Sequence, residues 1–245
     1  MNDYSSCAFP WNKLSLAPNE THVWRVRLDV GADALRRAAE CLSADENARA
    51  ERFRFLRDRE HFIIAHATLR NLLGGFLAYP PTKICLIQGP YGKPSLSGDF
   101  SGNPLRFNIS HSHGWALLAF AYGREVGIDI EKIRPEIVTE DIAERYFSVT
   151  ERNELLSLPA EIRAEAFFLC WTRKEAYIKA HGTGLQFPLD SFDVSLDPRE
   201  PAILRGKDSE RWDLCSLRPT SGHAGALISE KSIGVLCLWD HSEWL

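Results

Sequence analysis

The stretch 125-EVGIDIEKIRP-135 alternates apolar and polar residues, which predicts a β-strand with two different faces. On such a strand Ile128 and Ile130 point to one side, and Asp129 and Glu131 point to the other. The isoleucines favour a core, whereas two neighbouring carboxylates repel each other unless a positive charge lies between them. The strand therefore predicts a cation near Asp129 and Glu131. The simpler alternative is an exposed strand whose acidic side chains, Asp129 and Glu131, face solvent.

The composition is that of a globular protein. With 245 residues, 44% hydrophobic and 25% charged, the chain is long enough for one large domain or two small ones. The net charge of −4 and the pI near 6.1 argue against general nucleic-acid or membrane-surface binding. No secretion signal and no apolar run of about 20 residues are visible, so we expect a cytoplasmic protein that does not span a membrane. The six cysteines form no CxxC pair, so we expect neither disulfides nor structural zinc.

One pattern of elements occurs twice along the chain. A predicted strand over 22–30 precedes a helical segment that ends near Gly74. The predicted strand over 126–133 precedes a second helical segment, which ends near Gly182. Each half then continues with a proline-containing turn and further strands. The pattern predicts an α+β fold made of two similar lobes.

Helix caps give the alignment of the two halves. Both helical segments open with a capping-box pattern, Ser43-x-x-Glu46 and Ser148-x-x-Glu151. Counting the same distance from each serine equates Arg70 with Glu175. The same offset places Asp129 opposite Trp24, so only the second half carries the carboxylates. We therefore expect one site per chain, where the two lobes meet.

The helical stretch 167-FFLCWTRKEAYIKAHGTGL-185 adds a third carboxylate. Trp171, Glu175 and Lys179 are spaced i, i+4, i+8 and share one stripe of the helix, with Lys174 beside them. A solvent-exposed Glu–Lys pair is the simpler interpretation. If the helix packs over the strand, Glu175 joins the two carboxylates there.

Three carboxylates suit one hard divalent cation. Ligation by oxygen alone favours Mg²⁺, which usually takes its remaining ligands from water and substrate phosphates. The sequence therefore predicts a phosphate ester or pyrophosphate substrate. Lys174 and Lys179 would neutralise further phosphate charge.

A third segment, 89–114, contains turn residues around Lys93 and the motif 107-FNISHSHG-114. We predict Ser110 and His111 just after a short strand, as phosphate-recognition residues. An isolated histidine is more often structural or simply exposed. No Walker A or GxGxxG pattern occurs, so neither P-loop nor Rossmann binding is indicated.

Four motifs together resemble a known family: GKPSL, FNISHSHG, VGIDIEKI and FFLCWTRKEAYIKAHGTGL. Their order and spacing are similar to the signature of the 4′-phosphopantetheinyl transferases of the surfactin-synthetase-activating type. The resemblance covers roughly 50–196. It implies a monomer of two pseudo-twofold α+β lobes, each a small antiparallel sheet packed with helices. The N-terminal lobe would be 1–122, on the nucleotide side of coenzyme A, and the catalytic C-terminal lobe 123–245.

The resemblance also implies an activity. Enzymes of this family transfer the phosphopantetheine arm of coenzyme A to a serine of an apo acyl or peptidyl carrier protein, releasing adenosine 3′,5′-bisphosphate. By matching motif positions, the implied Mg²⁺ ligands are Asp129, Glu131 and Glu175. Glu175, or a water that it orients, would be the base for the serine. Lys179 would stabilise phosphate charge.

The nucleotide side of coenzyme A is implied to contact Lys93, Ser110 and His111. The family often has a basic position in the first-lobe helix, matched here by Arg57. A second, frequently basic position is His66, whose function the resemblance leaves open.

Two other functions remain open. One is a non-catalytic module that binds coenzyme A or a carrier protein, and the other is a different Mg²⁺-dependent pyrophosphate enzyme, such as a hydrolase. Because the chain is mildly acidic overall, docking of a carrier protein is expected to use a local apolar or basic patch.

Overall fold

The structure is a computed structural model that describes residues 5–6, 14–138 and 140–241. The helices are α1 Ala32–Ala39, α2 Ala44–Ala50, α3 Leu56–Leu77, α4 Glu140–Tyr146, α5 Val149–Ser157 and α6 Ala160–His181. The strands are β1 Ser5–Ser6, β2 Glu20–Arg27, β3 Leu86–Gln88, β4 Pro94–Leu96, β5 Leu105–Ser112, β6 Trp115–Tyr122, β7 Val126–Lys132, β8 Asp193–Val194, β9 Leu204–Arg205, β10 Trp212–Leu217, β11 His223–Glu230 and β12 Val235–His241. These elements confirm the α+β class. None of the described helices is both long and apolar enough to cross a membrane.

Two sheets organise the molecule. The larger has the order β1-β12-β2-β6-β5, and the smaller is the antiparallel sheet β10-β11-β7. β12 runs parallel to β2, whereas β2, β6 and β5 are antiparallel. The first sheet is therefore mixed, because a strand from the end of the chain enters it. The lobe boundary between 122 and 123 stays a prediction.

The helices cover the two sheets separately. One core joins the larger sheet to α1 and α3, and a second joins the smaller sheet to α4, α5 and α6. Ile128 and Ile130 lie fully buried in a third core that both sheets share. The apolar face of β7 thus binds the halves together, as the alternating pattern of this strand predicts.

Both predicted capping boxes are confirmed, at Ser43 and Ser148. Each predicted helical segment is divided into a short capped helix and a long helix of 22 residues. The second segment ends at Gly182, as predicted, with φ of 69°. The first continues past Gly74 to Leu77, and Gly74 is needed because a Cβ there would lie 2.8 Å from the ring of Pro81.

The two lobes repeat one buried polar clamp in the long helix. In the first lobe the Arg70 guanidinium binds the capping carboxylate of Glu46 and the carbonyl oxygens of Pro81 and Ile84. The carbonyl bonds measure 2.9 and 3.0 Å. The arginine thus fixes the long helix to both the short helix and the loop that follows.

In the second lobe Lys174 occupies the corresponding place. Its ammonium lies 2.8 Å from Glu151 and donates to the carbonyl oxygens of Leu189 and Phe192, at 2.6 and 2.8 Å. The structural equivalent of Arg70 is therefore Lys174. The predicted pairing of Arg70 with Glu175 was wrong by one residue.

Candidate active site

The two sheets meet at β5 and β7 through side chains. The Asn108 amide oxygen accepts a hydrogen bond from the Ile128 backbone N–H at 2.9 Å, and the Ser112 hydroxyl accepts one from the Lys132 N–H at 3.2 Å. Because alternate residues of a strand share a face, Ser110 points to β7 between these two contacts. Ser110 and His111 lie inside the strand β5, and the prediction that they follow a short strand was wrong.

Asp129 is the buried centre of the site, with 2% of its surface exposed. Its Oδ1 accepts hydrogen bonds from the Ser110 hydroxyl at 2.7 Å and the Lys179 ammonium at 2.5 Å. Its Oδ2 is buried and has no hydrogen-bond partner among the described residues. A buried carboxylate oxygen without a partner is costly, so this atom favours an additional cation.

Helix α6 packs closely against β7 at Gly127, and this packing brings the helix over the Asp129 carboxylate. A Cβ at Gly127 would lie 2.0 Å from the carbonyl oxygen of Ala176 and 2.6 Å from the Ala180 nitrogen. Only glycine allows this approach, which puts Lys179 within hydrogen-bond distance of Asp129. The glycine of the G-x-D-x-E pattern therefore serves the helix contact.

Two more carboxylates lie near Asp129. Burial, and next the charge of Asp129, raise the pKa of Glu131, whose Oε2 accepts a hydrogen bond from Ser112 at 2.8 Å. Burial raises the pKa of Glu175 to about 7, with Asp129 and Glu131 adding to this effect and Lys179 opposing it. The site thus holds more negative charge than its one ammonium neutralises.

The raised pKa of Glu175 predicts a pH-dependent loss of stability in the absence of metal. The folded protein keeps this proton up to pH near 7, whereas the unfolded chain loses it near the ordinary value of 4.5. The contribution of the protonated Glu175 to the free energy of unfolding is therefore fully present below pH 4.5, and it is lost as the pH rises through 7. Glu175→Gln, which cannot ionise, should be more stable than wild type at pH 8 by about 1–3 kcal/mol.

Urea unfolding in EDTA at several pH values measures this difference. The control is Glu161→Gln, which changes an exposed carboxylate on the same helix and should give no such gain. A difference between Glu175→Gln and wild type that stays constant from pH 4.5 to 8 would contradict the interpretation.

The three predicted metal ligands lie near one another but do not converge fully. Among the described residues, the only group of three ligand-type side chains with all ligand atoms within 4.8 Å is Glu20, His22 and Cys237, at the pairing of β2 with β12. In the site, the Lys179 ammonium forms an ion pair with Asp129 Oδ1, the oxygen that would otherwise be open to a metal ion. The unpartnered Oδ2 and the raised pKa values of Glu131 and Glu175 nevertheless fit a divalent cation.

A cavity of about 360 Å³ opens between the lobes beside this site. It lies between first-lobe residues and the C-terminal end of α6. Its basic or imidazole side chains are Arg49, His66, Lys93, His111 and Lys179. None of the described residues that line it is an aspartate or glutamate. A cavity with this charge suits a ligand rich in phosphate.

Lys93 fixes one wall of the cavity. Its ammonium donates to Glu125 at 2.8 Å and to the carbonyl oxygens of Ala180 and Val126, at 2.9 and 3.3 Å. Burial lowers the pKa of Lys93, although Glu125 opposes this shift. The lysine therefore joins the β3–β4 hairpin to the second lobe at the edge of the cavity. His111 is exposed and lines the same cavity.

Two predicted residues lie elsewhere. Lys174 is fully buried in its clamp with all three ammonium protons directed to protein oxygens, so its geometry contradicts a contact with phosphate. Arg57 is exposed and is not among the residues that line the cavity.

The structure adds Arg49, which the sequence analysis missed. Its guanidinium lies over the Phe62 ring, 5.2 Å from the centroid, at the cavity. His66 lies beside it, with Nδ1 3.0 Å from Glu46. Several arginines follow one another over 49–59, so no spacing in the sequence distinguishes Arg49 from Arg57.

The structure combines two sheets, each packed with its own helices, with a basic cavity beside clustered carboxylates. Residues 125–228 match the family model of the 4′-phosphopantetheinyl transferase superfamily, and residues 30–122 match that of the 4′-phosphopantetheinyl transferase N-terminal region. The chain belongs to the 4′-phosphopantetheinyl transferase family, which confirms the resemblance carried by the four motifs.

Two relatives from the sequence comparison agree with this assignment. The chain is 40% identical over 214 residues to the 4′-phosphopantetheinyl transferase HetI of Nostoc sp., covering 87% of this chain and 89% of that one. It is 38% identical over 169 residues to the 4′-phosphopantetheinyl transferase psf-1 of Bacillus pumilus, covering 69% and 70%. A solved structure, the holo-(acyl-carrier-protein) synthase of Bacillus anthracis in complex with CoA (3′,5′-ADP), matches at 28% identity and a TM-score of 0.38. That match covers 44% of this chain and 96% of the synthase.

Proposed function

We propose that this phosphopantetheinyl transferase moves the 4′-phosphopantetheine group from coenzyme A to a serine of an apo acyl or peptidyl carrier protein, with Mg²⁺ as its metal. Adenosine 3′,5′-bisphosphate is the second product. The observation that carries the proposal is the unpartnered, buried Oδ2 of Asp129, whose other oxygen accepts a hydrogen bond from Lys179, one of the basic residues that line the cavity. The negative charge of a pyrophosphate would complement the basic lining, and its metal ion would be a partner for the Asp129 oxygen.

Asp129, Glu131 and Glu175 are the residues that would hold the Mg²⁺. When bound, the ion neutralises charge on the pyrophosphate and on the leaving phosphate. Hard oxygen ligands and a shared excess of negative charge favour this ion over zinc, for which the group at Glu20, His22 and Cys237 is chemically better suited.

Glu175 is the proposed base. Burial raises the pKa of Glu175 to about 7 in the metal-free site, and a neighbouring Mg²⁺ would lower it, so that the carboxylate would be ionised and able to accept a proton at neutral pH. It takes the proton of the acceptor serine, directly or through a water, as the serine oxygen bonds to the phosphorus that carries the pantetheine arm. The bond from that phosphorus to the bridging oxygen breaks, and adenosine 3′,5′-bisphosphate leaves with the bond electrons.

Lys179 is positioned to stabilise the phosphate during transfer. Its ammonium is held by Asp129 and by the Ser110 hydroxyl at 2.9 Å, and it lines the cavity. Because a loose phosphoryl transition state needs alignment and charge neutralisation most, a fixed ammonium here lowers the barrier. Ser110 acts mainly by orienting Asp129 and Lys179.

The nucleotide end of coenzyme A is proposed to occupy the cavity. His111, Arg49 and Lys93 line it, and the Lys93 ammonium already donates to three protein oxygens. Arg57 lies outside the lining. Charge-assisted hydrogen bonds to the 3′-phosphate contribute roughly 1.5–3 kcal/mol each, so losing one should cost about 10- to 100-fold.

The 3′-phosphate contacts can be identified by comparing two donors. His111→Ala and Arg49→Ala should lower kcat/KM for coenzyme A about 10-fold or more but leave kcat/KM for 3′-dephospho-coenzyme A nearly unchanged. Arg57→Ala is the matched variant from the same arginine-rich segment. A selective loss in Arg57→Ala would support the sequence prediction for that residue, and unchanged ratios in all three variants would remove them from the 3′-phosphate site.

The reaction itself is tested by mass spectrometry on a panel of apo carrier proteins. We expect one added phosphopantetheine on the acceptor serine, dependent on both coenzyme A and Mg²⁺. A non-catalytic module would add none. A hydrolase would form adenosine 3′,5′-bisphosphate equally fast without any carrier protein, so that incubation is the necessary control.

We also propose that the protein is a cytoplasmic monomer. The third core, shared by both sheets, supports a site completed within one chain. Light scattering after size-exclusion chromatography measures the oligomeric state.

A further inference from the structure

We propose that Glu20, His22 and Cys237 form a zinc-binding site that joins β12 to β2. One ligand atom of each residue lies within 4.8 Å of those of the other two. None of the three residues lines the cavity proposed for coenzyme A, so the group is separate from the proposed active site. It is a second metal site, with ligands that the carboxylates of the active site do not offer.

The pairing of β2 with β12 brings the three side chains to one face of the larger sheet. Glu20 and His22 are two residues apart on β2, so they point to the same side. The Cα of Cys237 on β12 pairs with that of His22 in the parallel register. Because paired residues of adjacent strands project to the same face, the thiol lies beside the imidazole. Two strands from opposite ends of the chain thus supply three adjacent ligands.

The His22 imidazole is held in a fixed orientation. Only 6% of His22 is exposed, and its ring packs against Phe76 and Trp239, with centroid distances of 6.0 and 5.6 Å. Its Nε2 lies 3.2 Å from Glu20 Oε2. Its Nδ1 is buried and has no hydrogen-bond partner among the described residues. Buried polar atoms normally have a partner, and a metal ion at this group would provide one for the imidazole.

The other two ligands are open to solvent, so a metal ion can enter. Glu20 and Cys237 are both partly exposed. Glu20 Oε2 also accepts a hydrogen bond from the Ala17 N–H at 2.9 Å, which fixes the carboxylate beside the imidazole. Burial, and next the charge of Glu20, raise the pKa of the Cys237 thiol. A metal ion that binds this sulfur would therefore release the thiol proton to solvent.

The ligand types select zinc. Thiolate, imidazole and carboxylate are the three side-chain groups that bind zinc in proteins. Mg²⁺ and Ca²⁺ prefer oxygen ligands alone, so Cys237 and His22 disfavour them. Zinc usually has four ligands, and with three from the protein the fourth position is left to water. The bound ion would fasten the C-terminal strand to β2.

The spacing of residues in the sequence does not indicate this group. The expectation of no structural zinc came from the absence of a CxxC pair, whereas Cys237 and His22 lie near opposite ends of the chain. The simpler interpretation is a hydrogen-bonded pair of Glu20 and His22 with a thiol nearby. A metal titration distinguishes the two.

Co²⁺ is the probe for this site, because a thiolate bound to Co²⁺ gives an intense charge-transfer band in the near ultraviolet. The reduced full-length protein, stripped of metal, should develop this band with one equivalent of Co²⁺. Zn²⁺ binds such ligands more tightly than Co²⁺, so one equivalent of Zn²⁺ should abolish the band. Co²⁺ at the carboxylates of the active site has no sulfur ligand and gives no such band. The result is therefore independent of the proposed transfer reaction.

Variants of the two partly exposed ligands assign the band. Cys237→Ser should lose it completely, and Glu20→Gln should weaken Co²⁺ binding by about 10-fold or more. Both replacements leave the buried His22 in place, and circular dichroism checks that the variants are folded. The control is Cys215→Ser, which changes another partly exposed cysteine on a strand and should keep the full band.

Thermal unfolding gives a second readout. Zn²⁺ should raise the Tm of wild type and of Cys215→Ser more than that of Cys237→Ser, because a metal bound only by the folded chain stabilises it. The absence of a charge-transfer band in wild type, or its persistence in Cys237→Ser, would overturn the proposal. An equal rise of Tm in wild type and Cys237→Ser would also overturn it.

Discussion

Replacing Glu175 with glutamine should lower kcat by at least about 100-fold while changing the KM for coenzyme A by less than about threefold. The amide has nearly the shape of the carboxylate, so the cavity beside it is preserved. It cannot accept the serine proton, and it is a poor ligand for Mg²⁺. The loss therefore falls on the chemical step.

Single-turnover transfer to an apo carrier protein measures this step without product release. Glu161→Gln, at the exposed start of the same helix, is the control and should keep wild-type turnover. Proportional losses in kcat and in affinity for coenzyme A would assign Glu175 to binding and would reject its proposed function as the base.

Asp129→Asn should abolish transfer to within detection and weaken the apparent affinity for Mg²⁺ by about 10-fold or more. The amide oxygen can still accept hydrogen bonds from Ser110 and Lys179, so both donors keep an acceptor in this variant. What is lost is the negative charge at the otherwise unpartnered oxygen. Asp129→Ala should inactivate equally, but it also removes the acceptor for Lys179.

Transfer rates across a Mg²⁺ titration, together with thermal melting, measure these effects. Glu20→Gln is the matched control, because Glu20 belongs to the other group of ligand-type side chains, at β2 and β12. It should leave the Mg²⁺ dependence unchanged. If Glu20→Gln shifts that dependence and Asp129→Asn does not, the metal has been assigned to the wrong group.

The sequence predicted elements whose causes are local. The caps at Ser43 and Ser148 depend on residues three positions apart, and β7 depends on alternation within seven residues. Both are visible without knowledge of the rest of the fold. The carboxylates of β7 were found for the same reason.

Residue functions that depend on rotation about a helix were predicted less well. Lys174 and Glu175 are neighbours in sequence but point about 100° apart, one into the clamp and the other to the site. The alignment of the two halves by their caps missed this by one residue. A shift of one position moves a side chain to another face, and only the packing of α6 on β7 shows which face is which.

Contacts between distant parts of the chain could not be predicted from the spacing of residues in the sequence. Ser110 was predicted as a phosphate contact, and in the structure its hydroxyl serves Asp129 on a neighbouring strand. Arg49 and Arg57 differ by about two helical turns of sequence, yet only Arg49 lines the cavity. Neither result follows from local pattern, because each depends on how distant elements meet.

The strand β12 determines when the first half of the molecule can finish folding. It lies between β1 and β2 in the larger sheet, yet it is synthesised more than a hundred residues after β6. During translation β2 therefore has an unpaired edge until β12 leaves the ribosome. An open edge of this kind is a template for wrong pairing. The nascent chain thus carries an exposed strand through most of its synthesis, and truncation before Val235 would leave that edge open permanently.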